Sequence, residues 1–137
     1  VLLRDVATTE LAPYQTDVTR WTIEGGDVLL DANAALALGM AIHELTTNAV
    51  KHGALSGPDG RIAISWTVFS QEQARRVRFV WQESGGPVVP AERGKGFGTR
   101  LITEGLALQL DGKITLDFRP DGVLCSIEFP LVEGERR

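Results

Sequence analysis

Apolar residues recur along this chain with two periods, about 3.6 and 2, and the switches between them mark the elements. In the opening "VLLRDVATTELAPY", Leu3, Val6 or Ala7, and Glu10 or Leu11 fall at helical spacing, and Pro13 ends the pattern. "TRWTIEGGDVLLD" reads as two short strands joined by Gly25-Gly26-Asp27, a hairpin signal. A long helical pattern then runs from about Asn33 to His52. Asp31 or Asn33 can cap its start, and Gly53 stands where a left-handed residue would close it. "RIAISWTVF" alternates Ile62, Ile64, Trp66 and Val68 on one face, and "RRVRFVWQE" does the same with Val77, Phe79 and Trp81. A glycine-rich segment follows, from Gly85 to Gly98. "TRLITEGLALQL" returns to helical spacing, and "GKITLDF" with "GVLCSIEFP" closes as a hairpin across Pro120-Asp121-Gly122. There is no internal repeat. The order predicts an α+β domain: mostly antiparallel strands in one sheet, with the helices packed on one face.

Composition narrows the class without changing that picture. The chain has 137 residues, 43% hydrophobic and 23% charged, which suits one soluble domain with its own core. A net charge of −4 leaves no basic footprint for nucleic acid. The single cysteine, Cys125, excludes an internal disulfide and a cysteine-based zinc site. No apolar run is long enough to cross a bilayer and no signal peptide opens the chain. The chain starts at Val1 and Met40 is its only methionine, so it is expected to be a fragment of something longer.

The long helix carries the first candidate chemistry. Leu38, Ile42, Leu45 and Ala49 form a core stripe within about 60° of arc. Glu44, Asn48 and Lys51 form a second stripe, about 100° or more away, with His52 between the two. Such a face is the ordinary composition of a solvated helix side. It is also what a site would need: Glu44 and Asn48 stand one turn apart and lean the same way. Together they offer oxygens to a hard cation such as Mg²⁺, which takes only one or two protein ligands and keeps its waters. Lys51 and His52 would add positive charge or donors for an anion brought with the metal.

The glycine segment adds a second candidate. Gly85, Gly86, Gly94, Gly96 and Gly98 place five of the chain's 15 glycines close together. Gly94-Lys95-Gly96-Phe97-Gly98 leads into a helix beginning near Thr99, where exposed amides could hold phosphate. Neither a P-loop nor G-x-G-x-x-G is present. A mobile surface loop would have the same glycines. Glu83, at a predicted strand end just before Gly85, is either a solvated terminus or an acceptor for an amino group such as that of adenine.

Taken together, "HELTTNAVKH", "ESGGP" and "GKGFGTRL" resemble the N box and the two glycine boxes of the GHKL ATPase–kinase group, in that order. Within it, His43 and Trp81-Gln82-Glu83 resemble the HWE family of bacterial sensor histidine kinases, as do "GALS" and "GFGT". The resemblance spans nearly the whole chain. It implies the Bergerat α/β sandwich, one mixed, mainly antiparallel sheet covered on one face by helices. It implies ATP and Mg²⁺ as cofactors, with Asn48 as the Mg²⁺ ligand and Glu44 as the carboxylate that orients or deprotonates the nucleophile. Lys51 and His52 match positions near the phosphates. Glu83 stands where most of the group has an aspartate reading the adenine amino group. Gly85 and Gly86 border the base pocket, and Gly94, Lys95, Gly96, Phe97, Gly98 and Thr99 match the phosphate cradle. His43 and Trp81 are family markers whose chemistry does not follow from the sequence. The Pro87–Arg93 lid segment is short and a separate phenylalanine box is absent.

The only histidines, His43 and His52, both lie in the N box, so no phosphoacceptor is present. Residues 1–14 are expected to be the tail of an upstream dimerisation helix and its linker, and 15–137 the ATP-binding domain. The implied partners are an upstream dimerisation and phosphoacceptor domain and a response-regulator receiver, with the parent a homodimer. No nucleic acid or direct membrane contact is expected, and the domain is expected in the cytoplasm. Two other functions fit parts of the pattern: an anti-sigma serine kinase of the same fold, and a non-catalytic module that binds nucleotide or a partner.

Overall fold

The computed structural model describes residues 1–89 and 101–131. Helix α1 (Leu3–Leu11) continues into a 3-10 turn (Ala12–Tyr14). Strand β1 (Trp21–Glu24), helix α2 (Ala32–Lys51) and strands β2 (Arg61–Gln71) and β3 (Ala74–Ser84) follow. A π-helical stretch (Leu101–Leu106) runs into α3 (Ala107–Leu110), and β4 (Lys113–Arg119) with β5 (Gly122–Pro130) completes the fold. The sheet order is β1-β2-β3-β5-β4. Among the described strands only the β1–β2 pair is parallel. The α+β architecture with one mixed, mainly antiparallel sheet agrees with the periodicities.

Period-2 alternation makes the sheet two-faced, and pairing keeps the faces in register. Trp66 pairs with Phe79, Phe79 with Ile127 and Ile127 with Ile114, so one buried row crosses four strands. A second row joins Ile64, Trp81 and Cys125. Helix α2 lays its predicted stripe on this face, with Leu38, Ile42, Leu45 and Ala49 all buried. Asp31 caps the helix, its side chain accepting from the Ala34 amide at 2.8 Å.

The predicted Trp21–Leu30 hairpin does not form. β1 runs parallel to β2 at the sheet edge, with Ile23 opposite Ile64. The chain then leaves the sheet at Gly25-Gly26, where the Trp66 indole N–H donates to the Gly26 carbonyl at 2.8 Å. Val28 and Leu30 turn inward and are buried. Their backbones bond to the amino-terminal segment instead, Leu3 N to Val28 O and Leu30 N to Val1 O. The glycines mark an exit from the sheet, and burial of Val28 and Leu30 under α1 outweighs a two-stranded ribbon. Arg4 secures that exit by donating to the carbonyls of Ile23 and Gly25 while stacking over Trp66.

Helix α1 supplies Leu3, Ala7 and Leu11, all fully buried, to the same core cluster as α2 and the sheet. Residues 1–14 thus share the core of the residues that follow them.

Candidate functional site

Two parts of the molecule meet at the carboxyl end of α2. On the sheet side, Glu83 continues the buried face of β3 two residues beyond Trp81 and is only 5% exposed. Its carboxylate is held from both sides. Oε1 accepts from the Ala54 amide at 3.0 Å, and Oε2 accepts from the Trp81 indole N–H at 2.9 Å. A charge this buried would be costly without such donors. A carboxylate has about four acceptor positions, and these two donors fill one on each oxygen. The alternative of a solvated strand end does not hold: Glu83 points into the protein.

Gly53 is the residue that lets Glu83 reach α2. The helix closes at His52 without a left-handed residue, and Gly53 donates back to the Ala49 carbonyl at 3.0 Å. Its role is therefore space, not backbone handedness: a Cβ there would run into Glu83 Oε1. Gly85 does need its conformational freedom, with φ +74 and the Asp59 carbonyl 2.8 Å from where a Cβ would stand. Gly86 packs against the Ala54 backbone. The first glycine segment and the end of α2 thus form one corner, with Glu83 at its floor.

The loop after α2 is clamped by a residue the sequence reading passed over. Arg20 donates through Nε to the Gly60 carbonyl at 3.2 Å and through Nη2 to those of Ala54, at 2.9 Å, and Gly57. "LSGPDG" predicts a turn, and nothing local says that an arginine some 34 to 40 residues earlier holds it.

Glu44 and Asn48 lie on α2, one turn apart and half-buried, and Lys51 is exposed. None of the three makes a side-chain hydrogen bond or ion pair within the described residues. His52 is exposed at the helix end. Among the described residues no cluster of three or more His, Cys, Asp or Glu could cage a metal. A hard cation that takes one protein oxygen and keeps the rest for water and phosphate fits Asn48, with the Glu44 carboxylate one turn away. From Glu44 to His52 the helix rises about 12 Å, room for a nucleoside triphosphate laid along it with its base at the Glu83 corner.

His43 projects away from this face. Its Nδ1 lies 3.0 Å from Glu10 Oε1, pairing α2 with α1. A groove of about 530 Å³ between these helices includes Val6, Met40, His43 and Glu44 in its lining and does not reach the Glu83 corner. Cys125 is buried, and burial pushes its thiol up to about 12. The predicted phosphate cradle Gly94, Lys95, Gly96, Phe97, Gly98 and Thr99 lies outside the described residues.

A mixed five-stranded sheet with helices on one face and this corner at its edge is the fold of histidine kinase catalytic domains. The catalytic domain of the histidine kinase ThkA matches with a TM-score of 0.67 over 96% of this chain and 94% of that one, at 19% identity. The histidine kinase domain of the Erythrobacter litoralis EL346 blue-light activated histidine kinase matches at 0.74, over 94% of this chain and 63% of that one, also at 19% identity. In sequence the chain is 42% identical over 139 residues to blue-light-activated histidine kinase 1 of Erythrobacter litoralis, and 32% identical over 130 residues to the blue-light-activated histidine kinase of Brucella anthropi. The alignments cover 98% and 94% of this chain, which spans 37% and 26% of those proteins. No protein-family model matches. The chain is homologous to the blue-light-activated histidine kinases, and its His43 and Trp81-Gln82-Glu83 are consistent with the HWE family.

Proposed function

We propose that this chain is the Mg-ATP-binding catalytic domain of an HWE-type sensor histidine kinase. In the whole protein it passes the γ-phosphoryl group to a histidine on a dimerisation domain, and a response-regulator aspartate receives it next. The observation that carries this reading is the placement of two polar features on one helix. α2 ends against the buried Glu83 corner, and its outer face holds Asn48 and Glu44 one and two turns back.

The roles are those the family resemblance implies, and the placement supports the ones given to Glu83, Asn48 and Glu44. Glu83 accepts from the adenine amino group. Asn48 would hold the metal, which would neutralise phosphate charge, and Lys51 and His52 would face the phosphates. Gly94, Lys95, Gly96, Phe97, Gly98 and Thr99 supply the remaining cradle. Glu44 has no competing partner within the described residues, so its carboxylate is available to orient or deprotonate the attacking imidazole nitrogen. Phosphoryl transfer needs positioning and charge neutralisation more than covalent help from the protein.

Residues 1–14 are read as part of the nucleotide-binding unit, since Leu3, Ala7 and Leu11 are buried in its core. The acceptor domain, the response regulator and a homodimeric parent in the cytoplasm complete the proposal. A response regulator, TrrA, is bound to ThkA in one structure whose kinase matches this chain with a TM-score of 0.63 at 18% identity. Among the described residues no helix is long and apolar enough to cross a membrane.

Thermal unfolding with and without ATP, each with Mg²⁺ or chelator, tests the reading. A ligand at a hundred times its Kd stabilises by about 2.7 kcal/mol, a shift on the order of 5–10 °C in a domain of this size. A Mg²⁺-dependent rise is expected. No rise at millimolar nucleotide removes the ATP assignment.

A further inference from the structure

We propose that Trp81 is a positioning residue for nucleotide selectivity: its indole N–H fixes Glu83 so that the carboxylate reads the amino group of a 6-aminopurine. The inference rests on the ATP reading above and adds a residue, and a coupled set, that the reading does not require.

Glutamate has one more rotatable bond than aspartate, so a free glutamate at a base-reading position would spread its carboxylate over several rotamers. Here the ambiguity is removed by two donors from different elements. Trp81 stands two residues before Glu83 on β3, so both side chains project to the same face of the sheet. Its ring is fully buried between Ile64 and Cys125 in the strand register, which leaves the indole no freedom. The N–H therefore sits at a fixed point, 2.9 Å from Oε2. The Ala54 amide fixes Oε1 at 3.0 Å, and the missing side chain of Gly53 leaves the space that oxygen occupies.

Trp81, Gly53 and the Ala54 amide thus form one set matched to the longer acid. Both oxygens of Glu83 already accept from fixed donors, so the side chain presents itself to the base as an acceptor. An amino group on the base is then favoured over a hydrogen or a carbonyl at the same position. A phenylalanine at 81 would fill much of the ring volume but leave Oε2 without its fixed donor.

The test compares ATP with purine riboside triphosphate, which carries hydrogen in place of the amino group, on the 137-residue chain. The parent is expected to prefer ATP by about tenfold or more, the value of a hydrogen bond to a charged acceptor. Trp81→Phe is expected to pull that ratio down severalfold while purine riboside triphosphate binds within about twofold of the parent. An unchanged ratio overturns the proposal. So does an equal loss for both nucleotides, which is what a purely structural tryptophan would produce. If the parent binds neither nucleotide, the ATP reading itself fails. Should Trp81→Phe not fold, the indole N–H resonance of Trp81 is followed by NMR in the parent and in Glu83→Gln. A marked upfield move and faster solvent exchange in the variant support the charged hydrogen bond, and identical spectra refute it.

Discussion

The two ends of the candidate site on α2 are built on opposite plans. At its carboxyl end Glu83, Trp81, Ala54 and Arg20 are joined by hydrogen bonds, two of them between residues 29 and 34 apart in sequence. On its outer face Glu44, Asn48 and Lys51 make no side-chain hydrogen bond within the described residues. The corner is organised by folding itself, because its polar groups are buried and must be satisfied before any ligand arrives. The face is left to water, and under the proposed reading its groups acquire a defined geometry only when a metal and phosphates supply the other half of each contact. Changes at the corner should therefore register as lost stability, and changes on the face as lost ligand response in a protein of normal stability.

The sharpest way to break this contrast is Trp81→Ala. It opens a cavity in the central strand and strips Glu83 of a donor, and about 3–5 kcal/mol of destabilisation is expected in denaturant titrations. A loss under about 1 kcal/mol would mean the corner is not organised by folding. Arg20→Ala should cost about 1–3 kcal/mol, since three carbonyls of the 54–60 loop lose one donor group. Preserved stability with weakened ATP binding would move Arg20 from the folding side of the comparison to the ligand side.

Cys125, opposite Trp81 in the sheet, sharpens the same point through pH. Its thiol is raised from 9.0 to about 12 by burial, so the folded state keeps the proton while the unfolded state loses it. The stability associated with that proton is present below pH 9 and falls away as pH rises toward 12. At pH 10 the parent should have lost on the order of 1 kcal/mol more than Cys125→Ala, relative to their difference at pH 7. Parallel pH profiles would contradict the burial effect.

Asn48→Ala should change stability least, within about 0.5 kcal/mol, yet abolish the Mg²⁺-dependent shift with ATP. A shift equal to the parent's would remove Asn48 from the metal site. Glu44→Ala should be equally silent in stability and spare ATP binding, while slowing phosphoryl transfer in the intact kinase. Normal transfer kinetics there would exclude Glu44 from the reacting nitrogen.

Legibility in the sequence followed the range of the interactions. The stripe Leu38, Ile42, Leu45 and Ala49 was legible because a helix repeats locally, and the alternation of Ile62, Ile64 and Trp66 for the same reason in a strand. The pairing of Glu44 with Asn48 on one face needed only 3.6 residues per turn. The hairpin expected across Gly25-Gly26 failed because a glycine pair signals a change of direction without saying where the chain goes next. Gly53 was read as a helix-closing residue because that is its usual local role, whereas a side chain from residue 83 decides it.

By itself, the sequence determined the periods, the caps and the faces, and with them the α+β class and the candidate residues, since these depend on neighbours within a turn or two. Only the tertiary structure decided that β1 lies parallel to β2, that Arg20 holds the loop after α2, and that Trp81 and the Ala54 amide hold Glu83. Except for Trp81 and Glu83, which share a strand face, those contacts join residues with no local pattern in common. Burial settles them: a carboxylate or a backbone carbonyl taken from water must find its donor wherever the packed chain brings one.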